Sequence, residues 1–186
     1  MTSPPILSRV LDVSSLPAAG VAREIVASDV ERNALAEAFC LAEVRTLSAD
    51  LTVEPGRAGV VLVEGRVKAE IVQNCVVSLV PVGQSIDEAI SIRFARPGSS
   101  AAPEPGKPGA EVMIDPAGSD PPDLLTGPSV DLGAVVVEHF VLAIDPYPRA
   151  PGAELAGEAA DPSDGKVGDS AFAALARLTD RRAKNG

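Results

Sequence analysis

The sequence predicts an α+β fold: a curved antiparallel β-sheet covered by two helices, with a disordered Pro/Gly-rich loop and a disordered C-terminal tail. Three observations carry this. From Val61 the odd positions hold Val61, Val63, Val67, Ala69, Ile71, Cys75, Val77 and Leu79, while Glu64, Arg66, Lys68, Glu70 and Asn74 take even ones. That period of two marks a strand with one buried face, broken only by Gln73. Beyond Pro81 and Gly83 the alternation restarts as Ile86, Ile90, Ile92 and Phe94 against Asp87, Ser91 and Arg93, a neighbouring antiparallel strand with the ladder interrupted at the Pro and Gly. The sheet therefore includes residues 59–72 and 85–95. Two strands alone are marginal in water, so the third observation matters: capped helical patterns at 29–40 and 131–142 supply the cover.

Taken in order, Leu7 to Val13 reads as a first strand, ended by Ser14-Ser15-Leu16-Pro17 and Gly20, and Arg23 to Ala27 as a second. Ser28 and Glu31 have the spacing of a capping box. Val30, Ala34, Leu35, Ala38, Phe39 and Ala42 then recur at helical spacing, so 29–40 is an amphipathic helix. Val44 to Val53 is another strand, and Pro55-Gly56 turns the chain into the organising one. From Pro97 to about Pro128 the composition changes; Pro97 to Gly109 is too poor in apolar residues to offset its ordering entropy, and residues 97–128 read as a flexible insertion. Within it Val112-Met113-Ile114 reads as a short edge strand and Asp123-Leu124-Leu125 as a turn of helix. Asp131 caps Leu132 to Leu142, apolar on nearly every face and so deeply packed. Three prolines in Asp145-Pro146-Tyr147-Pro148-Arg149-Ala150-Pro151 stop it. The domain spans 1–150, and 151–186 is a flexible tail containing a short stripe of Phe172, Leu175 and Leu178 followed by Arg181, Arg182 and Lys184.

The charge excludes some functions. Sixteen Lys and Arg against 26 Asp and Glu leave −10 on 186 residues, which repels phosphate and favours a basic protein as partner. There is no Trp and one Tyr, so few rings remain for stacking on bases, and most of Phe39, Phe94, Phe140 and Phe172 belong to the core. The N-terminus lacks a basic region followed by an apolar core, and the longest apolar run, Leu132 to Ile144, is far short of the ~20 residues a bilayer demands. Cys40 and Cys75 form no spaced cluster and read as reduced, mostly buried thiols of a soluble, cytoplasmic protein.

Catalytic chemistry finds little support. His139 is the only histidine; it stands beside Glu138 on a helix, where adjacent residues do not face each other, and reads as a histidine at the core edge. Cys75 as a nucleophile needs a base that no nearby residue supplies, and the alternation places it on the buried face. Two Cys and one His scattered over the chain fall short of a metal site. The expectation is no enzyme, no cofactor and no metal.

Three segments, in this order, carry a resemblance. Gly65 to Val82, with its Cys75 knuckle, is followed by Val130-Asp131-Leu132-Gly133-Ala134-Val135-Val136-Val137-Glu138. Then comes Asp145-Pro146-Tyr147-Pro148-Arg149-Ala150-Pro151-Gly152, with Phe172-Ala173-Ala174-Leu175-Ala176-Arg177-Leu178 near the end. Together they resemble the YceD family of large ribosomal RNA subunit accumulation proteins, in its alphaproteobacterial branch. The motif positions are Cys75, Asp131, Leu132, Glu138, Asp145, Pro146 and Pro148. Many members carry Cys-x-x-Cys at the knuckle and further cysteines after the helix, which suggests zinc. Here Ser78 stands at the second knuckle position and the later segment has no cysteine, so the resemblance transfers no metal.

What the resemblance implies is a non-catalytic role in accumulating the large-subunit (23S) ribosomal RNA, that is, in ribosome biogenesis. Two modes stay open. An acidic surface suits a basic ribosomal protein or a large-subunit precursor, and a direct RNA-binding module, through the sheet face or the basic C-terminus, is the alternative. Phe172, Leu175 and Leu178 either dock on their own domain, fray, or order on a partner.

Overall fold

The computed structural model describes residues 5–102 and 121–154 of the chain, within which the α+β expectation holds. The chain divides into two units at Pro151 and Gly152, and all of its described strands and helices belong to the first.

Strands β1 (Val10–Asp12) and β2 (Val21–Val26) precede helix α1 (Asp29–Ala38). Strand β3 (Glu43–Pro55), a single 3-10 turn, and the long strands β4 (Val60–Asn74) and β5 (Pro81–Ala95) come next. Short β6 (Asp123–Leu124) and β7 (Ser129–Asp131) then lead into α2 (Leu132–Leu142). The main sheet has the order β2-β3-β4-β5-β6, antiparallel except for the β5/β6 pair, while β1 and β7 pair with each other.

The inner face of the main sheet is the alternating apolar set. Leu47, Ala49, Leu51 and Val53 of β3, Val61, Val63, Val67, Ala69 and Ile71 of β4, and Ile86 and Ile90 of β5 are buried. Each large member contributes about 1.5–3 kcal/mol by leaving water. An extra residue, Arg45, is accommodated where the β3/β4 register shifts between Val44 and Thr46. This bulge lets Val44, of the opposite parity, face inward with Leu47, and it bends the strand. At Gly65, across from Leu51, a Cβ would sit 2.0 Å from the Asp50 carbonyl oxygen, so the two strands approach there as only glycine permits.

Helix α1 is closed by the expected capping box: Ser28 Oγ accepts from the Glu31 N–H, and Glu31 accepts from the Ser28 N–H at 2.8 Å. Arg9 forks onto the same carboxylate at 2.8 and 3.1 Å. That guanidinium foremost, helped against burial by the backbone and side-chain donors of Ser28, holds Glu31 down to about 2. The helix buries Leu35 against the core.

Several expectations need correcting. Alternation does not carry the strand to Leu79: β4 ends at Asn74, and Cys75 to Ser78 form a turn in which backbone N–H groups bond to sulfur instead of to a neighbouring strand. Pro81 and Gly83 do not interrupt the ladder but lie inside β5, opposite Asn74 and Val72. Proline is tolerated there because it is the first residue of the strand. Asp123-Leu124 is a two-residue strand pairing with Phe94 and Ala95, not a helical turn. Helix α1 stops at Ala38, as Cys40 turns left-handed at φ 54°. Val30 points to solvent, so the inward face of α1 is narrower than its apolar positions suggest. The edge strand expected at 112–114 and the stripe Phe172, Leu175 and Leu178 lie outside the described residues.

Candidate functional site

Two places on the domain combine motif positions with unusual surroundings: the turn after β4 and the helix α2. At the turn, Cys75 is fully buried. Its sulfur accepts the N–H groups of Val77 and Ser78, both at 3.4 Å, and of Ala150 at 3.3 Å. The backbone around it is equally committed. Cys75 N–H donates to Val80 O at 2.8 Å, Leu79 N–H to Cys75 O at 3.0 Å, and Val76 N–H to Pro148 O at 2.9 Å. Leu79 accepts a left-handed φ of 61° to close the turn. The Ala150 N–H foremost, then the Ser78 side chain and N–H and the Val77 N–H, outweigh burial and hold the thiol down to about 6. Donors aimed at a sulfur stabilise negative charge on it, yet it stands away from solvent with no acid or base among its partners.

The same geometry tests whether the zinc that the resemblance suggests for other members suits these residues. It does not. One sulfur faces three N–H donors, Ser78 occupies the second knuckle position, and no group of three His, Cys, Asp or Glu among the described residues could hold a metal ion. Cys40, the other thiol, is separate and, against the expectation of burial, exposed, because it lies in the left-handed turn just past the end of α1.

The segment after α2 is what completes the knuckle. Gln73, the polar break in the alternation, is buried and donates to Asp145 O at 2.9 Å, while Gln84 donates to Ala143 O at 2.8 Å and accepts the Asp145 N–H at 3.1 Å. The Asp145 carboxylate accepts the Tyr147 N–H at 2.8 Å. Pro148 is buried, whereas Pro146 and Tyr147 are exposed. Sequence reasoning missed the two glutamines as clamps. Gln73 was legible as an anomaly, but its partner, a backbone carbonyl 72 residues on, was not.

At the other end of α2, Asp131 explains itself. It accepts Ser8 Oγ and the Arg9 N–H, each at 2.7 Å, and the N–H groups of Gly133 and Ala134 at 3.0 and 3.4 Å. Burial pushes its carboxyl up, but these four donors together pull it below the usual range. Leu132 is buried, and at Gly133 a Cβ would meet Leu7 O at 2.6 Å. The Asp-Leu-Gly run is thus a cap, a core anchor and a close crossing of the N-terminal segment over the helix. His139 is half-buried, its Nδ1 donating to Val135 O at 3.1 Å, which is not a relay with the exposed Glu138.

Helix α2 has two apolar stripes. Leu132, Val135, Val136 and Phe140 are buried in the core. Ala134, Val137, Val141 and Leu142, with the charged Glu138 among them, keep the i, i+3, i+4, i+7, i+8 spacing of a second face, of which Val137 and Val141 are half-buried against the core. With Phe39 and the chain at Pro5 to Leu7 they line an open groove of about 410 Å³. Apolar residues on every side predict a deeply packed helix; among the described residues Ala134, Glu138 and Leu142 are exposed instead.

The outer face of the sheet is polar and mixed. The strand register sets Glu24, Asp50, Arg66 and Ala89 in one row, and the exposed Val26 with Ser48, Lys68 and Asp87 in the next. Arg66 pairs with Asp87 at 2.8 Å, and Glu70 accepts from Ser85 at 2.7 Å. Both cations are therefore flanked by carboxylates. No aromatic ring lies in these rows. No helix among the described residues is long and apolar enough to cross a membrane.

The fold and these surfaces define an α+β domain with a hydrogen-bonded knuckle, an apolar groove and a mixed-charge sheet face. The chain belongs to the YceD family: the model for the large ribosomal RNA subunit accumulation protein YceD matches residues 63–179, more than half of its length. That family is tied to accumulation of the large-subunit ribosomal RNA and so to ribosome biogenesis. No curated protein and no solved structure matches the chain.

Proposed function

We propose that this protein is a non-catalytic ribosome-biogenesis factor of the cytoplasm that supports accumulation of large-subunit (23S) RNA by binding a basic ribosomal protein or an assembly intermediate. Family membership supports the process. The observation that carries the mode is the charge arrangement. The chain has a balance of −10, and on the exposed sheet face Arg66 and Lys68 are hemmed in by Glu24, Asp50, Glu64, Glu70 and Asp87. Phosphate tracking needs an uninterrupted run of cations, and base stacking needs exposed rings. An acidic surface instead attracts a basic protein and holds it away from premature RNA contact. Cys75, Asp131, Leu132, Asp145, Pro146 and Pro148 serve this function by shaping the domain, and Glu138 by its exposed charge.

The test is a tagged pull-down from lysate with and without nuclease. Large-subunit proteins or precursors retained after nuclease treatment support protein-mediated binding. Association abolished by nuclease supports the RNA-binding alternative.

A further inference from the structure

We infer that the open stripe of α2 is the seat of a basic amphipathic helix belonging to a partner protein, an inference that rests on the partner chemistry proposed above and adds its place and form. Four observations lead here. Ala134, Val137, Val141 and Leu142 line one side of the helix; Val137 and Val141 are half-buried against the core, Ala134 is exposed and Leu142 is 77% exposed. An apolar stripe of helical period is matched by the stripe of a second helix, whose side chains enter the grooves between its rows. The groove has one charge, Glu138, midway along it, and no array of convergent polar groups such as small-molecule sites use to orient a ligand. An adjoining hollow on the other side of Ala134 and Glu138 adds Asp123 and Asp131, and neither lining includes a Lys or Arg.

These features select the occupant. A wholly apolar helix would leave the Glu138 carboxylate at the edge of the covered stripe without a partner. An acidic one would meet like charge at Glu138. A helix with apolar residues at three- and four-residue spacing and a Lys or Arg opposite Glu138 satisfies both the stripe and the carboxylate. Nucleic acid offers no apolar stripe and would bring phosphates to an acidic rim.

The experiment places a photo-crosslinking amino acid at Leu142 in the full chain, irradiates it in lysate, and sequences the crosslinked peptide. The expected product is a peptide of another protein with apolar residues at helical spacing and Lys or Arg among them. Its yield should fall about tenfold in Glu138→Lys, the factor that ~1.4 kcal/mol corresponds to, and fall again in Leu142-proximal Val141→Lys. Both changes are judged only in variants whose circular dichroism and unfolding midpoint match the parent. A crosslink within the same chain, to a second copy or to RNA, or no crosslink, overturns the inference, as does a yield indifferent to Glu138→Lys. The pull-down separates this from the broader reading. If nuclease-resistant association with large-subunit proteins survives Glu138→Lys undiminished, the groove is wrong and the proposed function stands. If the parent shows no such association but the basic helix crosslinks, the function is wrong and the groove stands.

Discussion

At the Cys75 knuckle the N–H groups of Cys75, Val76, Val77, Ser78 and Leu79 all end on acceptors: three on the sulfur or carbonyl of Cys75, one on Val80 O and one on Pro148 O. Along the outer stripe of α2, Val137 and Val141 rest partly on the core, while Ala134 and Leu142 face a groove that no described residue fills. Both regions lie within motif segments, and both are built around one helix, since residues 143–150 run from its end into the knuckle. The difference separates two uses of a motif. Where hydrogen-bond demand is closed internally, the motif shapes the fold; where apolar surface is left uncovered, it is available to something else.

The largest expected effect contrasts the two faces of α2. Phe140→Ala empties a fully buried site and should cost about 3–5 kcal/mol in denaturant unfolding. A second break is steric: in Gly133→Ala the new methyl meets the Leu7 backbone, and the expected loss is about 1–3 kcal/mol. Because Leu7 lines the groove, that variant should also weaken the crosslink at Leu142. At the knuckle, Cys75→Ala strips three N–H groups of their acceptor, and the melting temperature should drop by several degrees, with Cys75→Ser recovering part of it because a hydroxyl oxygen still accepts.

The knuckle has a pH signature that the groove lacks. The N–H donors, that of Ala150 foremost, hold the folded thiol down to about 6, below the ~8.5 of a free cysteine. Between these values the unfolded chain holds the extra proton, so this contribution to stability is full above the unfolded value and lost as pH falls towards about 6. Unfolding midpoints measured across that window in a Cys40→Ser background should show the slope, and Cys75→Ser should flatten it. A slope unchanged by the substitution would assign it elsewhere. The smallest effect belongs to Leu142→Ala, within about 0.5 kcal/mol, because its side chain is already in solvent. A large loss there would mean the stripe is part of the core.

The long strands, the capping box and the cap at Asp131 were legible in the residues because they obey local rules: a period of two, or a side chain reaching a backbone group three residues away. The failures share a cause. At Cys75 the alternation continued on paper because Val77 and Leu79 kept the parity, but sulfur competes for the N–H groups that a strand would donate to its neighbour. Pro81 looked like a break because proline lacks an N–H, and whether that N–H is needed depends on where the strand begins. Asp123-Leu124 became a strand because the edge of β5 had bonds to offer.

By itself the sequence determined the α+β class, the buried face of β3 to β5, both helices and the family resemblance, since periodicity and caps act within a few residues of one another. Only the tertiary structure decided that Gln73 and Gln84 clasp the end of α2, that Ala150 completes the nest around Cys75, and that α2 leaves one apolar stripe open. Each of these joins positions some 60 to 75 residues apart, or depends on which elements reach a given face, and no local rule carries over that distance.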